Sequence, residues 1–149
     1  MGVVQPEWAE LSLTKEGTLT IRDSTFKANL AVGGIGGSGH GGAGMGGALF
    51  NHSGTVTIIN STFSGNTAQG GQNGSGLGGA IFNYNGLMSM TNSTLADNFV
   101  YTGGAAGGGI YNYKDGATSN LTLHNTILAN TQGNSSNDCT NTNGTGGHW

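Results

Sequence analysis

The sequence predicts an all-β parallel β-helix of about three to four coils, and three observations predict it. A six-residue phrase returns three times, as GGALFN at 46–51, GGAIFN at 78–83 and GGGIYN at 107–112. Around it, a longer unit of short apolar runs recurs every 32–37 residues. The step from Leu19 to Val56 is 37 residues, from Val56 to Met88 it is 32, and from Met88 to Leu121 it is 33. Finally, 31 glycines punctuate the gaps between those runs. Helical repeats of similar length are excluded, because each glycine inside a helix costs about 1 kcal/mol relative to alanine. Fixed-period self-similarity marks a repeat fold. Period-2 alternation in runs rich in Thr, Val, Ile and Phe marks strands. Each unit therefore reads as one coil of three short strands, stacked about 4.8 Å above its neighbour.

The elements follow in order. The first unit runs through LSL (11–13), KEG (15–17), TLTI (18–21) and DSTFKAN (23–29). In the second, GGALFN leads into the turn HSG (52–54), the strand TVTI (55–58) and NSTFSGN (60–66). The third repeats this as YNG (84–86), LMSM (87–90) and NSTLADN (92–98). The fourth gives YKDG (113–116), LTL (121–123) and NTILAN (125–130). Residues 1–10 are expected to form an N-terminal extension or partial cap, 11–139 the repeat domain, and 140–149 a flexible Gly/Asn/Thr-rich tail. The glycine run 33–47 is expected to leave the coil as a loop.

Stacking piles equivalent residues into files. The expected apolar files are Leu19/Val56/Met88/Leu121, Ile21/Ile58/Met90/Leu123, Phe26/Phe63/Leu95/Ile127 and Leu49/Ile81/Ile110. Asparagine files are expected at the bends: Asn51/Asn83/Asn112, Asn60/Asn92/Asn125 with Asp23, and Asn29/Asn66/Asn98/Asn130. Asparagine tolerates left-handed backbone, and its amide both donates and accepts along a ladder. Open strand edges at both ends make self-association, or membership of a longer chain, the expected state.

Charged residues are 7% of the chain and the net charge is −3. Nucleic acid is not an expected partner, since its binding releases counterions from clustered Lys and Arg, whereas Lys15, Arg22, Lys27 and Lys114 are dispersed. No apolar run reaches the length of a membrane span, and no signal peptide follows Met1. Cys139 stands alone, so no internal disulfide is expected.

Several motifs fail on inspection. GIGGSG at 34–39 fits a dinucleotide fingerprint in letters but lacks the acid that should follow. No glycine run carries the aspartate of a calcium β-roll, so no cofactor is expected, with a weak calcium site left open at Asp115 or Asp138. His40, His52, His124 and His148 form no metal-ligand spacing.

Two constellations remain. If Leu49, Ile81 and Ile110 point inward, Phe50, Phe82 and Tyr111 point outward, with His52, Tyr84 and Tyr113 in the adjacent file. Such an aromatic strip suits sugar rings or an apolar patch on another protein. The second lies at the extended third turn, where His52, Lys114 and Asp115 are the candidate catalytic residues.

The paired motifs resemble those of the polymorphic outer-membrane proteins and related bacterial right-handed β-helix repeats. The first motif is Gly46-Gly47-Ala48-Leu49, Gly78-Gly79-Ala80-Ile81 and Gly107-Gly108-Gly109-Ile110. The second, F-x-x-N, is Phe26…Asn29 and Phe63…Asn66, weakened to Leu95…Asn98 and Ile127…Asn130. The resemblance covers roughly 11–139. It implies a right-handed coil, a parent protein that is secreted or displayed on the bacterial surface, and adhesion to a glycan or surface protein. It supplies no catalytic residues. The alternative left open is a hydrolase or lyase acting on a carbohydrate or a small ester or lactone. Ice binding through threonine arrays is disfavoured because Thr18-x-Thr20 and Thr55-x-Thr57 give way to Leu87-x-Ser89.

Overall fold

The structure, a computed structural model, describes residues 12–36, 41–134 and 137–143. Within them the chain is all-β and coils as a parallel β-solenoid. The first coil carries β1 (Ser12–Lys15), β2 (Thr18–Arg22), β3 (Thr25–Lys27), β4 (Leu30–Val32) and β5 (Gly44–Met45). The second carries β6 (Leu49–His52), β7 (Thr55–Ile59), β8 (Thr62–Ser64), β9 (Thr67–Gln69) and β10 (Gly76–Leu77). The third carries β11 (Ile81–Tyr84), β12 (Leu87–Thr91), β13 (Thr94–Ala96) and β14 (Phe99–Tyr101). The fourth carries β15 (Ile110–Lys114), β16 (Asn120–His124), β17 (Ile127–Ala129) and β18 (Gln132–Gly133), and β19 (Cys139–Asn143) begins the next turn. Equivalent strands pair in parallel, in the orders β1-β6-β11-β15-β19, β2-β7-β12-β16, β3-β8-β13-β17 and β4-β9-β14-β18, with β5 on β10.

Each coil thus has four or five strands rather than three. The extra sides escape a hydrophobic pattern because their strands are only two or three residues long: LAV, TAQ, FVY and QG on one side, and the glycine-containing pairs GM and GL on the other. The run 33–47 stays on the coil where it is described: Gly41 N donates to Gln72 O, and β5 pairs with β10. Residues 37–40, with His40, lie outside the described residues, as do 1–11 and 144–149 with His148. The C-terminal boundary also moves, because β19 pairs along β15 from Cys139 to Asn143. Residues 140–143 therefore belong to the solenoid and not to the tail.

The recurring phrase has a steric cause at each letter. Its first glycine turns the chain with φ of +60° at Gly46, +64° at Gly78 and +61° at Gly107. A Cβ there would sit 2.1–2.3 Å from the carbonyl oxygen three residues on. Its second glycine faces the neighbouring coil at close range. Ala48 and Ala80 follow, fully buried, and then Leu49, Ile81 and Ile110 enter the core.

Three apolar files stand as the periodicity predicts, and Leu49/Ile81/Ile110 is extended by Cys139. The Phe26 and Phe63 rings lie 4.6 Å apart and parallel to within 1°. That file continues through Leu95 to Leu128, not to Ile127, which is 59% exposed. The fourth coil is shifted one residue from the F-x-x-N frame. Asn130 consequently joins Ala28, Gly65 and Asp97 at a left-handed corner, where all four have φ between +56° and +65°.

The asparagine files differ in kind. Asn60, Asn92, Asn125 and Asp23 do occupy left-handed corners at φ 46–51°. Asn51, Asn83 and Asn112 are instead buried on strands, facing inward between the coils. Asn51 Nδ2 donates to Asn83 Oδ1 (2.7 Å), Asn83 Nδ2 to Asn112 Oδ1 (2.6 Å), and Asn112 Nδ2 to Asn141 Oδ1 (2.6 Å). The same amides reach across their own turns to Gly54 O and Gly86 O. Each of these carbonyls also accepts a backbone N–H from the next coil, Leu87 N and Asn120 N at 2.9 Å each, so the amide supplies its second donor. Asn29, Asn66 and Asn98 form a second such file. There Thr131 takes the fourth place, and Asp138 Oδ1 accepts from its backbone N (2.8 Å) and its hydroxyl.

The corner at Gly65 yields a prediction. Its φ is +65° and nothing lies within 4 Å of an added Cβ. Three other residue types hold the same corner in the other coils. Gly65→Asn should therefore be tolerated at a cost below about 1 kcal/mol, because asparagine enters left-handed backbone at little expense and the corner has room for its side chain. Thermal melting checks this, and a loss above about 1 kcal/mol would contradict it.

Candidate functional site

Strand alternation on β6, β11 and β15 sends every second side chain outward, and parallel register lines these up coil over coil. Phe50, Phe82 and Tyr111 share one file, and His52, Tyr84 and Tyr113 the next. Ring centroids along the first file are 5.2 Å (Phe50–Phe82, inclined at 64°) and 5.5 Å (Phe82–Tyr111, inclined at 11°). Along the second they are 5.0 Å (His52–Tyr84) and 5.7 Å (Tyr84–Tyr113). These spacings follow from the coil-to-coil distance of about 4.8 Å, so the backbone itself sets the pitch of the rings.

The strip faces out, as the alternation predicts, but it is not a bare surface. Phe82 is only 3% exposed, hemmed in by its neighbours in both files, while the other five rings are half-buried. The fifth side of the coil rises beside it. Met45 on β5, Leu77 on β10, Ser75 and Gly104 form a wall along the strip, and wall and rings enclose a groove of about 730 Å³. The wall was not legible in the sequence, because Met45 and Leu77 are isolated apolar residues inside glycine runs.

The opposite rim is the extended turn after β15. Tyr84 donates its hydroxyl to Asp115 Oδ2 at 3.0 Å. That hydrogen bond to a carboxylate holds the phenol above its ordinary pKa, with desolvation and the Asp115 charge adding in the same direction. Asn85 clasps the turn from below, donating to Asp115 O (2.9 Å) and accepting from Asp115 N (2.7 Å). Lys114 is exposed beside it. Of the three candidate catalytic residues, His52 and Asp115 each meet Tyr84 rather than each other. Among the described residues no hydrogen bond joins His52 to Asp115 or Lys114.

The remaining sequence candidates lie apart from the groove. His124 is exposed at a corner, where its carbonyl accepts from Asn92 N (3.1 Å). Asp138 is engaged with Thr131. Cys139 is mostly buried at the C-terminal end of the core, and burial, with the nearby Asp138 charge, pushes its thiol up to about 11. No three His, Cys, Asp or Glu converge among the described residues. Nor is any helix there long and apolar enough to cross a membrane.

Fold and groove together define a class: a β-solenoid that carries a walled aromatic groove along one outer face. No family model, curated protein or solved structure matches the chain.

Proposed function

We propose that the chain is a glycan-binding module of a secreted or surface-displayed β-solenoid, acting in adhesion, in keeping with the polymorphic outer-membrane proteins its repeats resemble. The observation that carries this reading is the groove of about 730 Å³, with six ring side chains in two adjacent files along its floor. One side of it is apolar, through Met45, Leu77, Phe50 and Phe82. The other carries the His52 ring and the hydroxyls of Tyr84 and Tyr113. Sugar rings have the same division, with an apolar C–H face and hydroxyls at the edge. Aromatic stacking supplies affinity to such a face, while a few placed polar groups fix its orientation.

The floor also continues through three coils without a break, which suits an extended chain better than a single sugar. An uncharged β-linked oligosaccharide of four to six units is the probe. Calorimetric titration should give saturable binding, and Tyr111→Ala, at a half-buried floor position, should weaken it about tenfold, roughly 1.4 kcal/mol. Absence of binding to any neutral or charged oligosaccharide at millimolar concentration would overturn the reading.

A further inference from the structure

The groove's rim holds a carboxylate with capacity to spare. Asp115 Oδ2 accepts from Tyr84, while Oδ1 accepts from no described residue, and Asp115 makes no ion pair among the described residues. The carboxylate is nonetheless fixed in place. Asn85 holds the Asp115 backbone through two hydrogen bonds, and the Tyr84 hydroxyl holds the side chain. A loose surface aspartate would have none of these three restraints. The Tyr84 ring that meets it stands in file with Tyr113 and His52, at 5.7 and 5.0 Å. Aromatic faces attract cations through the ring quadrupole, more strongly where water is partly excluded. An anchored acid next to a bank of rings is an arrangement that selects a positively charged group with an apolar body.

Resting on the glycan reading above, we infer that the groove's ligand is a polymer of amino sugars with free, protonated amines, and that Asp115 is the group that reads the charge. The rings take the C–H faces, and the unused Asp115 oxygen accepts from the ammonium at the sugar's edge. The net charge of −3 favours the approach of such a polycation. Acidic glycans are disfavoured by the same carboxylate. The nearest cations do not cancel it: Lys114 is exposed on the adjoining position, and Lys15 lies one coil beyond His52, also exposed.

The test compares three oligosaccharides of one length and linkage: glucosamine, N-acetylglucosamine and glucose oligomers. Each is titrated into the full chain at a pH where the amines are protonated, at low and at high salt. The glucosamine oligomer should bind about tenfold more tightly than either neutral one at low salt, and the gap should close at high salt. In Asp115→Asn the ratio of the affinities should fall to about one, while Asp97→Asn, at a corner away from the groove, should keep it. Neutral oligomers binding as well as or better than the amine, or a preference that survives Asp115→Asn, would overturn the inference and leave the glycan reading standing. Failure of all three oligomers to bind would overturn both. Should Asp115→Asn fail to fold, Asp115→Ser carries the same test: the ratio should again fall to about one, and a ratio that stays near about ten would overturn the inference.

Discussion

Asn83→Asp is expected to cost about 3–5 kcal/mol at neutral pH, although it exchanges a single NH₂ for an oxygen of nearly the same size. Asn83 is fully buried. Its Nδ2 donates to Gly86 O (2.9 Å) and Asn112 Oδ1 (2.6 Å), with Ser119 Oγ also in reach at 3.2 Å. A carboxylate oxygen there would face the Gly86 carbonyl and the Asn112 amide oxygen, acceptor against acceptor, and would bring an uncompensated buried charge. The midpoint of thermal unfolding should fall by about 10–15 °C at the few degrees per kcal/mol typical of this chain length.

The sign with pH is defined. The introduced carboxyl would have a folded-state pKa raised above its unfolded value of about 4. Its destabilisation therefore grows as pH rises from about 4 towards the raised value; below about 4, where both states hold the proton, the charge contribution is gone and only the smaller cost of one lost donor remains. Melting curves from acid to neutral pH measure this. Asn92→Asp is the comparison. Asn92 is exposed and its Oδ1 accepts from Asn125 Nδ2, and Asp23 occupies the equivalent corner in the first coil. It should change stability by less than about 0.5 kcal/mol. A similar loss at both positions would mean that burial of the inner file is not what sets the cost.

Gly79→Ala should be the other severe substitution, costing about 3 kcal/mol or more and preventing close stacking of two coils. An added Cβ would lie 2.2 Å from Gly108 O, 2.5 Å from Phe99 O and 2.9 Å from Phe99 N. All three are backbone atoms, Phe99 on β14 with its N donating to Asn66 O, so none can swing aside as the end of a side chain could. Gly47 stands in the same relation to Gly79 O (2.3 Å) and Thr67 O (2.6 Å). The crowding is thus a property of the file and not of one residue. Denaturant unfolding, with Gly65→Asn as the permissive glycine replacement, measures the difference. A cost below about 1 kcal/mol would show that the coils can move apart at little expense.

Much of this architecture was legible from the chain because stacking translates directly into sequence period. The first two sheets kept their predicted files, since their strands alternate apolar and polar residues and a slip of one position would reverse the faces. The outward aromatic strip was legible for the same reason. The fourth coil misled at Ile127 because asparagine serves two separate roles there. The F-x-x-N frame aligns Asn130 with the buried ladder, but an asparagine is equally at home in the left-handed corner one residue earlier, and the true ladder position carries Thr131. The groove's wall left no pattern at all. Strands such as β5 and β10 are two residues long and contain glycine, so their existence depends on close backbone approach and not on side-chain alternation. The link between Tyr84 and Asp115 likewise depends on a turn extended only in the fourth coil.

The inner amide file also gives the molecule an orientation. From Asn51 to Asn141 each side chain hands its hydrogen forward and shows its oxygen backward, as do Asn29 and Asn66 in the second file. At the corners the sense is reversed: Asn60 gives to Asp23, Asn125 to Asn92 and Asn130 to Asp97. The rod is therefore a pair of counter-running currents of small dipoles, forward inside and backward outside, whose long-range fields oppose while each chain strengthens its own members. One terminus of the inner current is visible as Asn51 Oδ1, buried and without a partner, so the current begins at the second coil, where β6 lies against β1, and runs from there to Asn141.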